Sequence, residues 1–131
     1  ISAGYRSYGY QQDLFNKQVA DYVAQGNSKA LAISNTRNTV ADPGTSEHHT
    51  GLAFDVTVAG SIFKGTKQQI WLHKNCWDYG FIVRYPEGKK DITGFVAEAW
   101  HIRYVGVQHS TAMRDHNWTL EEYINAMSGQ P

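Results

Sequence analysis

The chain has 131 residues, enough for one domain with a single hydrophobic core. Its 12 Lys plus Arg balance 12 Asp plus Glu and no basic run occurs, which excludes the electrostatic footprint of a nucleic-acid binder. No apolar run reaches membrane-spanning length. The single cysteine, Cys76, excludes a disulfide framework and a Cys-based structural zinc site within one chain.

In chain order, the first predicted element is a helix over 10–25. Phe15, Val19, Tyr22 and Val23 recur at spacings of three to four, and Gly26 stands as a stop. The apolar run 30–33 reads as a short buried strand. Residues 36–45 are polar and contain Asp42-Pro43-Gly44, a turn signal, so they form a loop that delivers Ser46 and His48. Residues 52–58 alternate: Leu52, Phe54, Val56 and Val58 form an apolar face, and Asp55 points from the opposite one.

A helix is expected over 66–79, with Thr66 as N-cap and Gly80 as stop. Its His73 reads as a surface or packing residue, and core packing is expected for Trp71 and Trp77. Cys76 reads as a small apolar residue, because no nearby base would activate its thiol. Strand 81–85 ends at Pro86-Glu87-Gly88, and 89–93 reads as a polar hairpin-like stretch. Residues 100–105 alternate again, with His101 and Arg103 on one face and Trp100, Ile102 and Tyr104 on the other. His109 and His116 fall in a polar segment and read as solvent-facing. Thr119-Leu120-Glu121-Glu122 is a capping box that opens a last helix. Strands and helices without regular βαβ alternation predict an α+β fold: one domain, 1–131, with a mainly antiparallel central sheet flanked by helices.

The chemistry concentrates in two segments, Ser46 to Asp55 and Glu98 to His101. His48, Asp55 and His101 offer two imidazoles and a carboxylate, and Glu98 is a spare carboxylate beside the last of them. A catalytic zinc takes three such protein ligands, keeps one position for water, and needs a base for the water's proton. Two imidazoles and a carboxylate are common to several divalent metals, so the residues by themselves predict a metal site at the sheet. Glu98 and His101 are three residues apart and would face opposite ways on a regular strand, so a turn is expected between them. His49 competes with His48 as a ligand and would point away from it in an extended segment.

These residues resemble a known family. Ser46-x-His48-x-x-Gly51-x-Ala53-x-Asp55 followed by Glu98-x-Trp100-His101-x-Arg103-Tyr104 is similar to the VanY-type carboxypeptidases, zinc D,D- and L,D-carboxypeptidases of bacterial cell-wall peptides related to the D-Ala-D-Ala dipeptidases. The likeness extends to Gly4-Tyr5-Arg6-Ser7-Tyr8-x-x-Gln11 and to the run from Tyr79 to Pro86, in the same order. It implies that His48, Asp55 and His101 bind zinc and that Glu98 is the general base and acid. It also implies that Arg6 faces the scissile bond and that Gln11 and Ser46 hold the terminal D-amino acid. Tyr5, Tyr8, Tyr85 and Trp100 are candidates to line the cleft.

The implied substrate is a peptidoglycan stem peptide ending in D-Ala, handled by a monomer in the bacterial cell envelope outside the cytoplasm. Ala99 stands where the family usually has Pro, which would loosen the turn presenting Glu98. The start at Ile1 suggests an excised domain or mature fragment with a segment upstream. Two alternatives share the fold: an endopeptidase of cell-wall crosslinks, and a zinc-containing binding module like the Hedgehog signalling domain. The presence of both Glu98 and Arg6 favours catalysis over the latter.

Overall fold

The computed structural model describes residues 1–129; the last two positions of the expected domain lie outside the described residues. Three antiparallel strands form the sheet, in the order β1 (Ala53–Asp55), β3 (Glu98–Tyr104), β2 (Phe81–Tyr85). The last strand in sequence is thus the central one. The fold is α+β, as expected. Helices α1 (Tyr8–Ala24) and α2 (Lys29–Arg37) pack on each other, and α5 (Val107–His116) packs on β2. Helix α3 (Lys67–Asn75) leads through a 3₁₀ turn, Cys76–Tyr79, into β2, and the single-turn helix α4 (Lys90–Thr93) contacts α6 (Leu120–Ser128).

Side-chain caps fix the helix starts. Ser7, Ser28 and Thr66 each accept from the backbone N–H three residues on, and Thr119 with Glu122 completes the expected capping box. Each cap satisfies one or two of the donors that a helix start leaves unpaired. At Gly80 the chain turns from the 3₁₀ segment into β2 with φ 84°, where a Cβ would lie 2.7 Å from the Tyr104 ring. Only glycine fits both demands.

Several expectations are corrected. Residues 30–33 belong to α2, not to a strand: Ser28 caps the segment, Ala32 is fully buried and Leu31 is exposed, a helical one-face pattern. The stretch 89–93 is no hairpin: Lys89 is the N-cap of α4, which Gly94 closes with φ 81°. Residues 107–116 form α5, which the polar composition concealed. Trp71 is 56% exposed and lies obliquely against Tyr79 rather than in the core. The 52–58 strand shrinks to β1, and its burial is inverted. Ala53 and Asp55 are buried, whereas Leu52 is exposed and Phe54 half-buried against Phe81. The alternation is real, but the buried face is the one that carries Asp55.

No turn separates Glu98 from His101. Both lie on β3, where the pairing slips: Val83 is opposite Ile102, but Tyr85 is opposite Glu98. One residue of β2 therefore faces three of β3, an irregularity that re-aims side chains. Glu98 and His101 end on the same side although three residues apart, with His101 Nδ1 3.3 Å from Glu98 Oε2. Neighbouring elements take up the backbone of the slipped stretch: Ala99 O is 2.8 Å from His73 Nε2, and Trp100 O accepts from Val56 N at 2.9 Å. Ala99 thus sits in a held strand, not a loosened turn.

Candidate metal centre and cleft

Register builds the site. Asp55 on β1 is the direct cross-strand partner of His101 on β3, and such partners place their side chains side by side. A slip of one residue would send Asp55 to the other face. His48 comes from a 3₁₀ turn, Glu47–Thr50, that ends at Gly51 and feeds β1. The N-terminal segment holds this turn in place. Ser2 N donates to Asp55 O, Asp55 N to Ala3 O and Arg6 N to His48 O. His48 Nδ1 lies 2.8 Å from Gly4 O, so Nδ1 carries the proton and Nε2 is left as the free ligand atom. His49 is not a competitor: its Nδ1 meets Arg6 O at 2.7 Å and its Nε2 accepts from Gly44 N.

The structure brings His48, Asp55 and His101 together, all buried, with one ligand atom from each within 4.8 Å of the others. Asp55 Oδ1 is 3.3 Å from His48 Nε2 and 3.5 Å from His101 Nδ1, and it has no hydrogen-bond partner. Ligands of a tetrahedral ion at 2.0–2.2 Å stand about 3.3–3.6 Å apart. An orphaned buried carboxylate oxygen at that spacing from two imidazole nitrogens fits a divalent metal, and two imidazoles plus a carboxylate suit zinc.

The other Asp55 oxygen, Oδ2, pairs with Arg6 Nη2 at 2.7 Å. Burial opposes ionisation of Asp55, but His48, His101 and Arg6 outweigh it and hold the carboxyl below its ordinary range. Burial also works against a charged His101, yet the hydrogen bonds it donates to Glu47 and Glu98, and their negative charges, raise it to about 9. Glu47 was not singled out from the sequence. Its carboxylate lies 2.8 Å from His101 Nε2 and pairs with Arg84 and Arg103. Its position between Ser46 and His48 was the available signal, but an extended reading of that segment gives no hint that a 3₁₀ turn aims its side chain at His101.

The other expected site residues, Arg6, Gln11, Ser46 and Glu98, line a cleft of about 470 Å³ over the side chains of His48, Asp55 and His101, with Tyr85, Phe95 and Trp100 on its wall. Gln11 is buried: its amide donates to Ala41 O and its Oε1 accepts from Arg6 Nη1 at 3.4 Å. Ser46 Oγ accepts from His48 N, leaving its own proton free to donate. Tyr5 and Tyr8 are exposed and do not line the cleft. Cys76 is buried away from the site, and burial pushes its thiol up to about 12, which makes it inert.

Comparison with known proteins gives a consistent result. The family model described as VanY, D-alanyl-D-alanine carboxypeptidase, matches residues 1–107. A D-alanyl-D-alanine carboxypeptidase of Enterococcus faecalis (strain ATCC 700802 / V583) is 42% identical over 125 residues, covering 95% of this chain and 47% of its own length. The chain thus spans about half the length of the curated relatives it matches. Among solved structures, VanYB in complex with D-alanine-D-alanine superposes with a TM-score of 0.90 at 42% identity, over 95% of this chain and 69% of that one. A mutant of the D,D-pentapeptidase VanY from a VanB-type resistance cassette, in complex with Zn(II), gives 0.87 at 41%, over 95% and 70%. The LD-carboxypeptidase LdcB gives 0.77 at 38%, over 93% and 56%.

Proposed function

Because the chain belongs to the VanY D-alanyl-D-alanine carboxypeptidase family, we propose that it is a zinc carboxypeptidase that removes the C-terminal D-Ala of peptidoglycan stem peptides. The observation that carries this reading is Asp55 Oδ1, buried, unpartnered and set between two imidazole nitrogens, with Glu98 alongside. His48 Nε2, Asp55 Oδ1 and His101 Nδ1 hold the ion. When bound, zinc lowers the pKa of a ligated water toward neutrality and polarises a carbonyl.

The protein's own groups do the rest. Glu98 is only 4% exposed and lies against His101, so its carboxylate stands where it can take the attacking water's proton and return it to the leaving amine of D-Ala. Arg6 borders the same cleft; its buried Nε has no partner and its guanidinium supplies positive charge to the developing oxyanion. Gln11 holds Arg6, and the Ser46 hydroxyl is free to donate to the substrate's terminal carboxylate. Every one of these groups comes from a single chain, so a monomer suffices. The site of action consistent with such a substrate is the bacterial cell envelope, outside the cytoplasm. No described helix is long and apolar enough to cross a membrane.

The test is D-Ala release from a stem pentapeptide and a stem tetrapeptide, with and without a chelator, followed by mass spectrometry. Loss of one D-Ala from the pentapeptide is D,D-carboxypeptidase action; loss from the tetrapeptide is L,D action. Chelator-sensitive release from either supports the proposal. Cleavage only inside a crosslink would assign an endopeptidase, and zinc binding with no cleavage of any of them would assign a binding module.

A further inference from the structure

Glu47 borders the cleft without meeting any of the three proposed ligand atoms, and three side chains from β2 and β3 converge on it. Oε1 lies 2.8 Å from His101 Nε2. Oε2 accepts from Arg84 Nε on β2 and from Arg103 Nη1 on β3, each at 3.0 Å. The two remaining nitrogens of Arg84 donate to Glu121 on α6, Nη1 at 3.0 Å and Nη2 at 2.6 Å. The Glu47 side chain is 12% exposed and that of Arg84 11%, so this network is largely screened from water.

His101 needs such a partner. Its Nδ1 is the nitrogen that faces Asp55 and Glu98, and a ligating nitrogen must be free of its proton. The ring proton then sits on Nε2 and requires an acceptor, which Glu47 Oε1 supplies; a partner of this kind fixes both tautomer and ring orientation. His48 is served by a backbone carbonyl at the corresponding place. We infer that Glu47 is the positioning residue of His101, and that the Arg84–Glu121 pair extends this support to α6, which lies beyond the residues matched by the family. The inference rests on the zinc-site reading above, and its test separates the two.

Zinc affinity is measured by competition with a chromophoric chelator for the native chain and for Glu47→Ala, Glu47→Gln and Glu121→Gln. The His101 ring ¹⁵N resonances of the zinc-loaded proteins are recorded alongside. The native chain failing to bind zinc would sink the site reading itself. Given native binding, Glu47→Ala should raise the zinc Kd about 10–100-fold. Glu47→Gln, whose amide oxygen still accepts from Nε2–H, should fall between the two. Glu121→Gln should weaken binding by a few-fold, because Arg84 then has a poorer anchor. A network that serves only folding would lower the melting temperature of the metal-free variants and leave the zinc Kd within twofold of native. That result in both Glu47 variants overturns the inference. If Glu47→Ala does not fold, Glu47→Gln decides by the same criterion.

Discussion

The two oxygens of Asp55 differ: Oδ2 pairs with Arg6, and Oδ1 has no partner and is the oxygen proposed to bind the ion. Glu98 has no such double duty, so it is the residue whose loss should separate chemistry from metal binding. Glu98→Gln is expected to retain stoichiometric zinc by elemental analysis while kcat falls by roughly 10²–10⁴. Retained turnover would remove Glu98 from its role. The same side chains set how the metal-free protein responds to pH. Burial works against an ionised Glu47, but His101 and Arg84 bring it from 4.5 to about 2. A lowered carboxyl contributes stability that is full above pH 4.5 and lost as pH falls toward about 2. His101 is raised from 6.5 to about 9, so its contribution is full below pH 6.5 and lost as pH rises through about 9. Chelator-treated protein should therefore show its highest melting temperature from these groups between about pH 4.5 and 6.5, and a decline toward pH 9. If His101 ligates zinc as proposed, the ion would replace its proton, and the zinc-loaded protein should lack the alkaline decline. A metal-free melting temperature that rises steadily from pH 6.5 to 9 would contradict the assignment.

Elements that announce themselves by local chemistry were readable from the sequence: the caps at Thr66 and Thr119, the stop at Gly80 and the strand 81–85 each depend on a few adjacent residues. The proposed ligands and Glu98 came from residue type together with the family resemblance of two short segments, and the structure does bring His48, Asp55 and His101 together. What was hidden depends on distant partners. The slip in β3 exists because β2 and the contacts from His73 and Val56 accommodate it, and nothing within 98–101 encodes those neighbours. Helix α2 was mistaken because a four-residue apolar run has no period of its own, and the decisive signal, the Ser28 cap, stood outside it. Glu47 was missed because its partners are 37 to 56 positions away. The turn at Gly80 provides a direct check on how tightly these elements join. A methyl group there must occupy a positive φ and push into Tyr104 and the Gly106 backbone, so Gly80→Ala should cost about 2 kcal/mol in denaturant unfolding. A cost near zero would mean that the 3₁₀-to-β2 junction relaxes freely.

The proposed ligands lie up to 53 positions apart in the chain, since His48 sits on a turn and His101 on the central strand, and the strand carrying Asp55 is itself held by the N-terminal segment through Ser2 and Ala3. With three strands in the sheet and β1 only three residues long, backbone pairing alone gives this edge little support. Without an ion, the edge is joined to β3 at the site by the contacts of Asp55 with protonated His101 and by the Glu47 bridge. With an ion, three side chains from the turn, β1 and β3 share one centre. A ligand that binds the folded state and not the unfolded one adds about 2.7 kcal/mol when present at a hundredfold excess over its Kd. For a domain of this size that corresponds to a rise of about 10 °C in melting temperature. Chelation should therefore lower the melting temperature by that order. The accompanying rise in amide hydrogen exchange should concentrate in residues 2–6 and 46–55 rather than in α1 or α5. His101→Ala should show the lower melting temperature whether or not zinc is present. Equal melting temperatures for chelated and zinc-saturated native protein, or exchange that rises evenly along the chain, would mean that these segments are not joined through a shared ion.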